Sequence, residues 1–248
     1  MHNSVDIVIP VLNEEKALPE SVDRLHDFLT NTIKSKWRIL IADNGSTDTT
    51  PQVCKELAKK YKALSYIRIE QRGRGRALRK AWLESEADIV TYMDVDLSTD
   101  LRAFPDLLRA FDEGYHIAIG TRLSSGAKVH LRSMKREFIS RTYNLIIKLL
   151  FFTSFQDAQC GFKAMTTDVA HRIIPNIMDQ GWFFDSELLI IADKNDFKIK
   201  EVPVTWTDDP DSRVRVINTA WTDLKGLFRL RFGGLPKVRP PATTKKAP

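Results

Sequence analysis

The sequence predicts an α/β protein with a mostly parallel sheet flanked by helices, and three observations carry that prediction. Short β-rich runs alternate with segments of helical periodicity through the first half of the chain, and turn-forming residues close each run. With 248 residues, 43% of them hydrophobic, the chain can also cover both faces of such a sheet.

Val5-Asp6-Ile7-Val8-Ile9 reads as a strand closed by Pro10, after which Leu18, Val22, Leu25 and Leu29 recur at helical spacing. Arg38 to Ala42 repeats the strand signal. Thr50 as cap and Pro51 in the first turn then open a helix whose Val53, Leu57 and Tyr61 share a face. A third strand at Leu64 to Ile69, a glycine-bearing loop, a helix around Arg76 to Ser85 and a fourth strand at Ile89 to Met93 continue the alternation. Strands joined by helices pair in parallel. After a helix at Pro105 to Glu113 and a strand at His116 to Gly120 the alternation stops at a basic segment. There Arg122, Lys128, Arg132, Lys135, Arg136, Arg141 and Lys148 accompany a single acid, Glu137. Further on, a helix is expected at Asp185 to Lys194, a strand at Ile199 to Val204 and a helix at Thr219 to Arg231. Residues 234–248, rich in Pro, Thr and Lys, read as a disordered basic tail, which leaves 1–233 as one domain.

A net charge of +6 implies an anionic partner: nucleic acid, a phosphorylated substrate or an acidic lipid surface. Cys54 and Cys160 fit neither a zinc-ligand spacing nor a disulfide scaffold, so reduced thiols in a cytosolic compartment are expected. The first strand begins within a few residues of Met1, and no signal peptide is expected ahead of it. The longest apolar stretch, Leu145 to Phe152, carries Lys148 and falls short of the roughly 20 residues of a membrane span. Any membrane contact is therefore expected to be peripheral.

In a parallel sheet ligands bind beyond the carboxyl ends of the strands, so the loops at Leu12 to Glu15, Asp43 to Asp48 and Asp94 to Asp96 should converge. Asp94-Val95-Asp96 puts two carboxylates at one strand end. That suits Mg²⁺ or Mn²⁺, which take one or two carboxylates and complete their shell with substrate phosphates. Asp43 could accept from a base edge and Glu14 from ribose hydroxyls. Local turn formation explains each loop alone; the coincidence of three is what points to a nucleotide. The Gly73-Arg74-Gly75-Arg76 loop is not a dinucleotide fingerprint, since Leu78 takes the third glycine's place and the loop follows the third strand.

VDIVIPVLNEE, IADNGSTDTT, YMDVDLS, IGTR, DAQCGFK and GWFFDSELL, in this order and spacing, resemble family 2 glycosyltransferases with the Rossmann-like GT-A fold, from Val5 to Gly233. The chain is most similar to dolichyl-phosphate glucose and mannose synthases, and EVPVTW and LFRLRF look more like the glucose branch. The resemblance implies nucleotide-binding positions at Pro10, Asn13, Glu14 and Asp43, with cations for the diphosphate at Arg74 and, from a mobile loop, Arg213. It makes Asp94 and Asp96 the sugar and metal positions, and joins Asp157 to them as the carboxylate nearest the reacting centre. Arg122, Arg132 and Arg136 would hold the acceptor's phosphate. Beside them Phe138, Ile139, Leu145, Ile146, Leu149 and Leu150 would give an interfacial helical segment over 128–152. Gln159, Trp182, Asp185 and Glu187 fall on the sugar and acceptor side, although a helix cap also accounts for Asp185. Ser98 stands where relatives often carry a Gln metal ligand, and Leu12 where they often carry Tyr.

The implied activity is inverting transfer of one hexose from UDP-glucose or GDP-mannose to a polyprenyl or dolichyl phosphate, at the cytoplasmic face of a membrane, with no nucleic-acid partner. The alternatives are a nucleotide-sugar-binding domain without turnover and a family 2 transferase acting on another acceptor. A processive polysaccharide synthase is set aside, because its transmembrane helices and QxxRW motif are missing here.

Overall fold

The computed structural model of the chain describes residues 2–131, 133–208 and 216–241, with backbone only for 216–220. Strand β1 (Ser4–Val11) is buried along almost its whole length, which is why its sequence runs nearly continuously apolar instead of alternating. It is followed by α1 (Leu18–Thr32), β2 (Lys36–Asp43), α2 (Thr50–Lys60), β3 (Leu64–Arg68), α3 (Arg74–Leu83) and β4 (Ile89–Met93). Then come α4 (Phe104–Asp112), β5 (Ile117–Thr121), β6 (Lys128–His130), α5 (Met134–Phe151), β7 (Phe162–Thr166) and α6 (Thr167–Ile173). The chain continues through α7 (Phe184–Lys194), β8 (Ile199–Pro203), β9 (Thr205–Thr207) and α8 (Val216–Gly233).

Seven strands form the main sheet in the order β3-β2-β1-β4-β7-β5-β8. β1, β2, β3 and β4 pair in parallel, as do β5 and β8, whereas β7 is antiparallel to both neighbours. The expected α/β class is thus met, with one reversed strand in the middle. One apolar layer packs α1, α2 and α4 on one face through Leu25, Leu57 and Phe104. The other covers the opposite face with α3, α5, α6, α7 and α8, through residues such as Trp82, Phe184, Leu189 and Leu227. The parallel register, Val11 beside Asp43 and Val8 beside Tyr92, brings the loops after β1, β2 and β4 to one edge.

Three sequence expectations need correcting. Residues 128–130 are not the start of a helix: β6 pairs with β9 in a small second sheet, and the helix begins at Met134 behind its cap Ser133. Strands of three residues are too short to leave a periodic signal. Thr50 does not cap α2; Thr49 precedes the helix, and the Thr50 hydroxyl accepts from the Glu14 backbone at 2.8 Å. The tail from 234 does not leave the body at once. Asn195 at the end of α7 donates to the Pro236 carbonyl at 2.9 Å and accepts from the Val238 N–H at 2.8 Å, and Val238 is buried. Residues 242–248 lie outside the described part. Both cysteines are free and buried, and burial pushes each thiol up to about 12.

Candidate active site

The loop after β4 holds Asp94 and Asp96 at the sheet edge. Leu97 sits there in the left-handed region at φ 48°, a conformation that costs a branched residue about 1 kcal/mol. Several contacts impose it. The Leu97 N–H donates to the Asp94 carbonyl at 3.1 Å and the Ser98 N–H to the Asp96 carboxylate at 3.0 Å. β9 staples the loop from outside, since Thr207 donates to the Ser98 carbonyl at 2.9 Å and Asp100 to that of Thr205 at 2.9 Å. The two aspartates line a small pocket with Thr99, Gly161, Phe162 and Trp206.

Gly161 leaves the room that Asp94 uses. A Cβ at Gly161 would stand 1.6 Å from the Asp94 Oδ2, so no side chain fits there without moving the carboxylate. Asp94 and Asp96 could hold a hard divalent cation such as Mg²⁺ or Mn²⁺, which takes one or two carboxylates and completes its shell with phosphate oxygens. Among the described residues no group of three or more His, Cys, Asp or Glu converges to hold a metal.

Behind this pocket lies a buried charge network. Arg74, at the start of α3, reaches the Asp94 carboxylate at 2.5 Å and that of Asp185 at 2.5 Å. Lys163 of β7, fully buried, donates to Asp185 at 2.8 Å, and the Tyr92 hydroxyl donates to it at 2.6 Å. Burial works against the ionised Asp185, yet Lys163 and Arg74 outweigh it and hold the carboxyl below its usual range. Arg74 also lies against the rings of Tyr92 and Trp182, 4.8 and 4.9 Å from their centroids. Asp185 is no helix cap: α7 is preceded by Phe183, and the Asp185 side chain points into this network. Arg74, Trp182, Asp185 and Asp94 therefore form one cluster, held together by Lys163 and Tyr92, which the sequence reading did not single out.

The nucleotide loops meet beside it. Asn13, at φ 58°, accepts from the Thr47 N–H at 2.8 Å, and its own N–H donates to the Ser46 hydroxyl at 2.9 Å. Pro10 and Glu14 flank this junction between β1 and the turn after β2. Asp43 differs from its expected role. Its carboxylate is fully buried and already accepts from the Ser46 N–H at 2.9 Å, Tyr66 at 3.2 Å and Arg68 at 3.1 Å. It folds the turn and orients Tyr66 and Arg68. Asn44 carries the link onward, accepting from the Gly73 N–H just ahead of Arg74.

On the acceptor side Asp157 is fully buried and forks onto Arg122, with distances of 2.8 and 2.9 Å plus the Arg122 N–H at 3.0 Å. Burial alone would raise this carboxyl, but the Arg122 charge and hydrogen bonds win and hold it at about 2. Arg122 is thus oriented by Asp157 through Nε and Nη2, with its guanidinium 5.3 Å from the Trp206 ring centroid. Arg136 reaches Asp208 at 2.6 Å. Arg132 and Arg213 lie outside the described residues. Gln159 donates to Asp223 of α8 at 2.8 Å.

Glu187 leaves the proposed site altogether. It is fully buried, takes a fork from Arg229 of α8 at 2.8 and 3.0 Å, and accepts the Met178 and Asp179 N–H groups. Its work is to fix the segment before Trp182 and to dock α8 onto α7.

The model of the glycosyl transferase family 2 domain matches residues 6–174. The chain is 31% identical over 219 residues to glycosyltransferase AglD of Haloferax volcanii, covering 86% of this chain and 34% of that protein. It is 30% identical over 227 residues to dolichyl-phosphate beta-glucosyltransferase of Mus musculus, covering 85% of this chain and 69% of that one. Among solved structures, glucosyl-3-phosphoglycerate synthase of Mycobacterium tuberculosis, in complex with Mn²⁺, UDP-glucose and phosphoglyceric acid, superposes with a TM-score of 0.70. That match has 16% identity, covers 95% of this chain and 81% of the synthase, and shows a shared fold. The chain belongs to glycosyltransferase family 2.

Proposed function

We propose that the chain transfers one glucose from UDP-glucose to a polyprenyl phosphate such as dolichyl phosphate, with inversion, while resting on the cytoplasmic face of a membrane. Residues 1–233 act as one catalytic domain in this reading. The observation that carries it is the run of residues 157–161, which joins the two halves of the site. At one end Asp157 grips Arg122, and at the other the Gly161 carbonyl accepts the Asp94 N–H at 3.3 Å. Donor-side carboxylates and acceptor-side cation are thereby held by one short loop. The similarity to dolichyl-phosphate beta-glucosyltransferases favours glucose over mannose and a dolichyl phosphate over other acceptors.

The surface beside the site supports a lipid acceptor. α5 buries Tyr143, Ile147 and Phe151 yet turns Phe138, Leu145, Leu149 and Phe152 outward. α8 packs against α5 and α7 and exposes Trp221, Phe228 and Phe232. Lys135, Arg141, Lys148 and Lys225 lie on the same two helices, a combination suited to the headgroup region of anionic lipid. No described helix is long and apolar enough to cross a membrane.

A Mg²⁺ or Mn²⁺ ion on Asp94 and Asp96 would supply Lewis-acid stabilisation to the departing diphosphate. Arg74, anchored through Asp185, offers a fixed positive charge beside it, and Arg213 is assigned to the same diphosphate. The acceptor phosphate is ionised near neutral pH and attacks the anomeric carbon in line, so no strong base is required. Asp157, with its carboxyl near 2, is a poor proton acceptor at neutral pH and serves to orient Arg122. Arg132, Arg136 and Gln159 complete the acceptor side.

The test is transfer of radiolabel from UDP-glucose or GDP-mannose to dolichyl phosphate with Mn²⁺, followed by organic extraction. Label should enter the organic phase from UDP-glucose. Label only from GDP-mannose would overturn the donor assignment, and none from either donor would overturn the acceptor.

A further inference from the structure

Helix α8 carries one buried acid beside the 157–161 loop. Asp223 is 2% exposed, and its Oδ2 accepts from the Gln159 amide at 2.8 Å, while its Oδ1 is buried without a hydrogen-bond partner. Gln159 stands in the loop that connects Asp157 to Gly161, and its own N–H donates to Asp157 at 3.2 Å. The side chain that Asp223 holds is therefore in the joint between the two halves of the site.

No cation answers this carboxyl among the described residues. From the segment before α7 and from α7 itself it faces the acids Asp179 and Asp185, and from α5 the phenol of Tyr143, whose hydroxyl donates to Ser186 at 2.8 Å. The basic residues of its own helix lie elsewhere: Arg229 forks onto Glu187, Lys225 lies over the Trp221 ring, and Arg231 is exposed in the last turn. Asp185 has its own cations in Lys163 and Arg74. An ionised carboxylate buried with acids nearby and no cation carries a large desolvation penalty, whereas the neutral acid keeps the Gln159 bond without burying a charge.

We propose that Asp223 is a positioning residue of the transfer site, holding the Gln159 amide in place for the acceptor as an uncharged carboxylic acid. This rests on the lipid-phosphate reading of that side. Burial, reinforced by Asp179 and Asp185 and opposed by hydrogen bonding with Gln159 and Tyr143, raises the carboxyl to about 7. Above that value a new negative charge appears behind the loop that receives an anionic acceptor, so turnover falls as the acid ionises.

Two measurements on the full chain test this. In infrared titration of the ligand-free protein, the wild type should show a carboxylic-acid carbonyl band that vanishes with a midpoint near 7 and is missing in Asp223→Asn. In transfer assays, Asp223→Asn, which keeps the shape and the neutral state, should retain turnover and lose the alkaline decline. Asp223→Ala should raise the KM for dolichyl phosphate by about three- to tenfold, one hydrogen bond's worth, with the donor KM unchanged. A band already absent at pH 5, or an alkaline decline that persists in Asp223→Asn, would overturn the proposal. If the wild type transfers nothing to dolichyl phosphate, the acceptor reading fails, and the infrared titration alone decides the state of Asp223.

Discussion

At the scale of single residues the site divides into groups that meet ligand and groups that hold them. Asp96 belongs to the first kind, so Asp96→Ala should abolish transfer in the label assay while leaving the melting temperature nearly unchanged, since it opens no apolar cavity. Gly161→Ala should do the same without removing any acid, because its Cβ would displace the Asp94 carboxylate. Retained transfer in Gly161→Ala would show that Asp94 need not occupy that place. Asp157 belongs to the second kind. Asp157→Asn strands a buried guanidinium, and denaturant unfolding should register a loss of about 3 kcal/mol. The pH dependence has a definite sign. Asp157 titrates at about 2 when folded against an ordinary 3.8, so its stabilisation is fully present above 3.8 and disappears as the pH falls through about 2. The shift corresponds to roughly 2 kcal/mol, and the gap between wild type and Asp157→Asn should narrow by about that much over this interval.

At the scale of elements, what could be read from sequence depended on range. β1, β2 and β4 were legible because central parallel strands run continuously apolar, and the acidic loops after them follow from the same topology. β7 was not legible: Lys163 interrupts its apolar run and is tolerable there only because Asp185, on a helix further along, neutralises it. The same holds for Arg74, whose partner Asp185 is 111 positions away, and for Glu187, which looked like a sugar ligand until its fork with Arg229 was visible. Composition misled at the tail, where Pro and Lys suggested disorder but Asn195 captures the backbone of 236–238. Helix α8 makes the clearest prediction at this scale. Gly226 lies where a Cβ would come 2.3 Å from the Phe183 ring, so Gly226→Ala should push α8 off α7 and cost about 1–3 kcal/mol by thermal or chemical unfolding.

At the scale of the whole molecule, a net charge of +6 and two helices with outward apolar residues are what the proposed meeting with a lipid acceptor at a membrane surface would use. Glutamate at both Phe138 and Phe232 should abolish sedimentation with anionic vesicles and leave the fold intact; undiminished vesicle binding would remove α5 and α8 from the membrane contact. In the proposed reaction a divalent cation would be held at the mouth of β4 by Asp94 and Asp96. Calorimetric titration of UDP into the protein, with and without Mn²⁺ and for wild type and Asp96→Ala, examines that site without requiring an acceptor. Tight binding should need both Mn²⁺ and Asp96. Equal affinity without Mn²⁺, or in the variant, would contradict the account.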